Sequence, residues 1–499
     1  MMPTIELDGQ SLTTALVAAI ASGAAVRLAD RARPAMERSA LGYPAVPSVL
    51  DQKRRVLLGT AVAVGEESVR RFVLDHCAGV GDALPSGQVR ALLACRANVL
   101  ASGHSAVRPT LVDAMCTMLN TGVVPVVPSQ GSVGAAGDLA PLAHVARVLF
   151  GLGGPAQLPD GTVGPSPLAP FSPTPKEALA VINGATLTSA LAAISVHRAR
   201  RLLDAAVDAC AMTFAVSRAD ARCLSNALLS ARGHRGGVAV AARLRERLGA
   251  PGAAVGAPDA FSLRAAPAVL GTALDCLDWV SGTVTAELNG ACDNPLWFEG
   301  EGVVEGGNFH GAPVALAMDT LRIALTQVAT QSERRTFRLT ASSLTQDLPS
   351  FLVEGTGLNS GFMLAQYTAA SLASECKGLS HPASVDSIPT VQHHEDHVSM
   401  GPIAARLTLR VLECLADIIG IEALVAAQGL DWRLRGMRVV DGVRVDGPPA
   451  EVGPQILALH ARVREVVPFW HDDQILHPAL RSVGERVRSG LAADEPTPW

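Results

Sequence analysis

Aromatic side chains are scarce in this chain. They make up 4% of 499 residues, and there are only two tyrosines, Tyr43 and Tyr367. Chemistry that needs a phenol must come from one of those two. Charged residues are also sparse at 17%, the net charge is -5, and no long basic run occurs. The electrostatic footprint of a nucleic-acid-binding protein is therefore missing. The nine cysteines, at 77, 95, 116, 210, 223, 276, 292, 376 and 414, never fall in CxxC spacing. An odd number without framework spacing reads as free thiols in a reducing compartment, most of them acting as small buried apolar residues. The N-terminus has no basic region ahead of its apolar stretch and does not read as a secretory signal. The most apolar helical run, 415–430, carries Asp417 and Glu422. It falls short of the roughly 20 apolar residues of a membrane span. The expectation is a soluble cytoplasmic protein with neither a membrane nor a nucleic acid as partner.

What is abundant is apolar material: 48% of the chain is hydrophobic, with mean hydropathy +0.28. That suits a large folded core and argues against disorder. From Leu187 onward apolar residues recur at Leu191, Ile194 and Leu202, with Arg198, Arg200 and Arg201 between them. This is helical spacing, and 318–335 and 407–428 read the same way. Strand candidates are few and short, such as 122–127 and 437–445. The fold class expected is mainly α, with a central bundle of long helices. No repeat or clear linker interrupts the chain. It divides into an active-site-loop region at 1–145, a helical bundle at 146–430 and a helical segment at 431–499, read together as one continuous domain. The Pro/Gly-rich stretch 151–175 and the stretch 249–258 read as loops. Two further segments, 121–138 and 383–400, are rich in Gly, Pro, Ser and His. Loops of that kind on a rigid scaffold are where chemistry tends to sit.

Residues 131–144 read GSVGAAGDLAPLAH. This resembles the signature block of the histidine and phenylalanine ammonia-lyases, GSVGASGDLAPLAH, at thirteen of fourteen positions. Further blocks follow in family order: NGATLTSA from Asn183, FSLRAAP from Phe261, DNPLWF from Asp293, GGNFHGAP from Gly306, FLVEGTGLNSGFMLAQ from Phe351, SHPASVDSIPT from Ser380 and EDHVSM from Glu395. The resemblance spans about residues 70 to 430. It implies an ammonia-lyase-like helical fold of the fumarase/aspartase-like superfamily. It also implies a homotetramer with active sites built from several subunits, and a small-molecule carboxylate as substrate.

The one mismatch falls where the family makes its electrophile. There an Ala-Ser-Gly tripeptide cyclises and the serine loses its hydroxyl, leaving the methylidene-imidazolone group, MIO. Here the tripeptide is Ala135-Ala136-Gly137, and Ala136 has no β-hydroxyl to expel. The expectation is that no MIO forms and that the chain carries no cofactor. Ammonia is a poor leaving group and the β-proton is weakly acidic, so the covalent electrophile supplies much of the rate. Side-chain acid–base help alone gives roughly 10²–10⁴-fold. Ordinary histidine deamination should be lost.

Two more family features are altered. The YGxxTGFG-type loop with its tyrosine base is not recognisable in LGYPAVPSVLDQKRRVLL, where Tyr43 is the candidate for part of that role. The tyrosine of the PYSLR-type block is Phe261. The three changes together read as natural divergence more than as removal of one serine.

The resemblance also carries over substrate-holding residues. Arg264 matches the arginine that grips the substrate carboxylate, a task suited to its planar fork. Asn183 and Phe309 match residues near the substrate and the prosthetic group. His76 and Glu395 match residues of the histidine-specific branch that face the imidazole. His393 and His394 depart from the family and are candidate replacement acids or bases, since histidine titrates near neutral pH. Lys377 and His381 are weaker candidates. Consecutive histidines are not standard ligand spacing, so no metal is expected.

The sequence leaves three readings: an MIO-independent lyase performing elimination or the reverse addition on a carboxylate-bearing substrate, such as an imidazole betaine, as the resemblance to ergothionases suggests, or a specialised-metabolite intermediate; a non-catalytic binding or scaffold homologue; or an ammonia-lyase homologue inactivated by an engineered serine-to-alanine change at Ala136.

Overall fold

The computed structural model describes residues 4–44, 66–249, 259–345, 347–391, 394–440 and 443–492. They form two compact units, each assembled from three stretches of chain. Unit one holds Met1–His197, Val280–Asp319 and Pro382–Arg406; unit two holds Arg198–Trp279, Thr320–His381 and Leu407–Trp499. Four long helices contribute to both units: Thr186–Ser217, Ala266–Leu288, Ala312–Thr340 and Gly401–Leu434. These include the three helical segments expected from periodicity, each extended at both ends. Strands are short and sheets have two or three strands. The mainly helical reading holds.

The strand expected over 437–445 is instead an antiparallel pair, Met437–Val440 with Val443–Asp446. The stretch 151–175 is not only loop. It contains the short strands Pro155–Gln157 and Val163–Pro165, which pair with each other, and the first of them also pairs with Val124–Pro125. Isolated three-residue pairings carry too little alternation to be read from a sequence.

Unit one is organised around the helix Ser86–Ala101, in which every residue from Val89 to Ala101 is buried. A helix buried all round must satisfy its polar side chains internally. It does so by cross-linking. Arg90 donates to the carbonyls of Ile20, Leu119 and Ala24, and Arg96 to those of Ala180 and Cys292. Asn98 donates to Leu288 O and accepts from the amides of Asp8 and Gly9.

The neighbouring helix Pro175–Ile182 starts on a capping box. Thr174 Oγ1 accepts from Glu177 N, Glu177 returns to Thr174 N, and proline occupies the first turn. That fixes both the start and the phase of an eight-residue helix, which ends by presenting Asn183.

Unit two closes around Glu422. Its carboxylate, fully buried, accepts from Thr213 Oγ1 at 2.8 Å, Ser332 Oγ at 2.6 Å and Arg335 at 2.5 and 2.8 Å. One side chain thereby ties together three long helices.

Among the described residues no helix is long and apolar enough to cross a membrane. The nine cysteines are free, and six of them are buried.

Candidate active site

The tripeptide lies in a turn whose geometry depends on glycine. Gly137 has φ +83° and forms a parallel bridge with Gly184. A Cβ on Gly137 would meet the Gly184 backbone at 2.2–2.4 Å. Only two glycines allow this approach. It brings Asp138 N to Gly184 O at 2.8 Å and so locks the loop onto the start of the helix Thr186–Ser217.

Asp138 is buried and holds the same junction from its side chain. It accepts from Thr188 N at 2.8 Å, Thr188 Oγ1 at 3.1 Å and Ser132 Oγ at 2.9 Å. Burial still outweighs those donors and pushes its pKa up to about 6.

The two loops singled out in the sequence meet here. Met400 N donates to Val133 O at 2.9 Å, and Ser399 Oγ donates to Gly134 O at 3.0 Å. Ala135 packs with Val398 and Met400 in an apolar cluster, and Ala136 is itself buried at 7% exposure. The position that would have to supply a hydroxyl for the MIO is thus a buried methyl group. The residues present do not fit that group.

Asn183 lies beside this loop. Its Nδ2 donates to Asn294 O at 2.7 Å, while Oδ1 is buried without a partner. An unsatisfied buried acceptor is costly and uncommon, and in a cleft it is a natural seat for a ligand donor.

Phe309 is half-buried and adjoins His310. The His310 ring stacks on His397 at 5.4 Å and its Nε2 lies 3.3 Å from His397 O. Glu395 sits in a small antiparallel bridge with Thr390, whose hydroxyl donates to its carboxylate at 2.7 Å. His394, next to it, is exposed. His393 lies outside the described residues.

His76 ends the helix Glu66–His76, with Nδ1 against Phe72 O at 2.8 Å and the Asp75 carboxylate. That leaves Nε2 for other partners. Gly79, three residues on, is packed against Gly131 at the entrance to the tripeptide loop.

Tyr43 is the last residue but one before a gap in the described chain. It caps the helix Arg33–Gly42, with Lys176 Nζ 5.9 Å from its ring. Burial, then the negative charges of Asp293 and Glu305, push its pKa up. The phenol holds its proton, which suits a donor better than a base. Beneath it Lys176 pairs with the buried Asp293 at 3.2 Å, and Arg96 lies 3.5 Å from the same carboxylate. Burial pushes the Lys176 pKa down, and the charge of Asp293 acts against that shift. Sequence reading missed this cluster, as it missed Ser399 and the His310–His397 pair. The motifs PKEAL, NFH and EDH held the signal, but the partners are more than 80 positions apart.

Seven of these positions, Tyr43, His76, Ala135, Ala136, Asn183, Phe309 and Glu395, belong to unit one. Arg264 belongs to unit two. It ends the short helix Phe261–Arg264, is exposed, and stands 4.9 Å from the Phe261 ring. Lys377 and His381 also lie in unit two, at the end of the helix Met363–Leu379 and just after it. Among the described residues no three His, Cys, Asp or Glu side chains converge so as to hold a metal ion.

With this geometry in view, the profile of the aromatic amino acid lyase family matches residues 12–465. The chain belongs to that family. A histidine ammonia-lyase of Anaeromyxobacter sp. strain K is 42% identical over 98% of this chain and 99% of its own length. That of Gloeobacter violaceus is 40% identical over 97% and 96%. Among solved structures, histidine ammonia-lyase of Trypanosoma cruzi has a TM-score of 0.86 at 36% identity, covering 98% of this chain and 93% of that one. Ergothionase of Treponema denticola, at 24% identity with a TM-score of 0.84 over 98% and 99%, shares the fold.

Proposed function

We propose that this chain is a lyase that works without MIO. It performs an elimination, or the reverse addition, on a carboxylate-bearing substrate, such as an imidazole betaine or a specialised-metabolite intermediate. The observation that carries the reading is the buried methyl of Ala136 in a loop that is otherwise kept: Gly137 on Gly184, Asp138 on Thr188, and the Asn183 acceptor unfilled. A lyase deprived of an electrophile needs a substrate that eliminates more readily. A trimethylammonium in place of ammonia is a better leaving group, so an imidazole betaine fits.

By its resemblance to the family, whose sites draw on several subunits, we assign the carboxylate to Arg264, the imidazole to His76 and Glu395, and the reacting part to Phe309 and Asn183. Proton transfer falls to Glu395 and His394, with His393, their neighbour in sequence, as a further candidate. Tyr43 supplies a hydrogen bond or a proton. The family resemblance in the sequence implies assembly as a homotetramer. Tyr367 and Leu364, exposed on one helix at 62% and 45%, are consistent with contact to further copies.

One observation favours a non-catalytic reading. Neither tyrosine of the family is matched by a phenol poised to take a proton, since Phe261 has none and Tyr43 holds its own. Binding measurements separate a kept pocket from a lost one. Calorimetric titration with imidazole acrylate should show saturable binding that weakens roughly tenfold or more in Arg264→Gln, the loss expected for a charge-assisted pair. Equal binding by the two proteins would remove Arg264 from the site.

A further inference from the structure

A cavity of about 510 Å³ lies apart from every residue assigned above. One wall is the end of the helix Leu139–Leu149, with Arg147 and Val148; the other is the Gly/Pro-rich excursion between Gly151 and Pro170. We propose that this cavity is a second binding site, for a small organic monocarboxylate with a flat apolar body, and that Arg147 takes its carboxylate.

The cation comes first. Arg147 Nε is buried without an acceptor, and among the described residues no carboxylate pairs with this guanidinium. Arg147 lines the cavity, and a guanidinium there with no carboxylate partner among the described residues is a ready partner for a ligand carboxylate. The backbone is shaped around it. Gly154, at φ +103°, lies so close that a Cβ there would sit 3.2 Å from Arg147 Cδ and Nε. A peptide plane can therefore lie along the arginine stem.

A second donor stands nearby. Ser166 Oγ accepts from Leu168 N at 3.2 Å, which leaves its hydroxyl hydrogen for a ligand oxygen. The remaining walls are apolar, from Val148, Pro155, Pro165 and Leu168. They suit a flat ring or a conjugated chain.

Charge decides the ligand class. The cavity adjoins the C-terminal end of a helix, which carries about half a negative charge. One guanidinium outweighs that for a single negative charge. A phosphate dianion is disfavoured for another reason, since the apolar walls leave most of its oxygens without donors.

The test uses the full-length protein and trans-cinnamate as probe, titrated calorimetrically in an Arg264→Gln background, where the family site is expected to bind carboxylates roughly tenfold or more weakly. Saturable binding is expected there. It should fall roughly tenfold or more on adding Arg147→Gln. Ser166→Asp should weaken it as well. That change can keep the turn to Leu168 N while placing a like charge at the cavity, so it guards against a folding defect in the arginine variant. Inorganic phosphate at matched ionic strength should not compete. The inference is overturned if cinnamate does not saturate, if its binding is unchanged by both substitutions, or if phosphate displaces it. Failure of the Arg264 reading would show as residual cinnamate binding that neither Arg147→Gln nor Ser166→Asp changes, beside the fraction that both weaken.

Discussion

Gly137→Ala should cost the protein roughly 2–5 kcal/mol and abolish ligand binding at the candidate active site. Two effects add. An alanine at φ +83° pays the left-handed penalty of about 1–2 kcal/mol. Its Cβ would also lie 2.2 Å from the Gly184 carbonyl carbon, against backbone on which no rotamer change can act. Overpacking of that kind costs about 1–3 kcal/mol, and here it must push the tripeptide loop away from the helix Thr186–Ser217. The hydrogen bond from Asp138 N to Gly184 O goes with it. Gly161→Ala is the matched control. Gly161 has φ +84° but nothing within 4 Å of an added Cβ. It should show the backbone penalty alone and keep imidazole acrylate binding. Thermal unfolding and calorimetric titration of the two variants check both parts. Equal behaviour of the pair would mean that the Gly137–Gly184 contact does not hold the loop.

The largest stability effect should come from Glu422→Ala in unit two. It leaves Arg335 as an unpaired buried cation and strands the hydroxyls of Thr213 and Ser332. Breaking one partner of a buried pair costs roughly 3–5 kcal/mol. The double change Arg335→Met with Glu422→Leu removes both charges and replaces them with apolar volume. It should recover most of the loss, because the desolvation of two ions disappears along with their attraction. Midpoints of denaturant unfolding for the two proteins test this. A double variant no more stable than Glu422→Ala would show that packing, not charge, sets the cost.

The sequence made the helices and the signature loop legible, and particular residues show why the rest was hidden. The long helices follow from a 3.6-residue apolar period, which needs only neighbours in the chain. Ala136 and Arg264 were legible because short blocks carry them. Tyr43 was placed only loosely, since its environment of Lys176, Asp293 and Glu305 comes from two distant segments. Glu422 read as a charge that spoils a membrane span, and its partners Thr213 and Ser332 are about 209 and 90 positions away. The hairpin at 437–446 read as one strand, because the apolar pattern continues through both arms. Arg147 gave no signal at all, since what sets it apart is the lack of a partner.

The central claim is that the chain eliminates without MIO. It is tested most directly by following ultraviolet absorbance when the purified protein meets histidine, its trimethyl betaine, or the thiol-bearing betaine. The account predicts that a conjugated acrylate chromophore grows with a betaine and not with histidine. A protein silent on all three that still binds imidazole acrylate through Arg264 would be a binding homologue. Turnover of histidine by the protein carrying Ala136 would contradict the account outright.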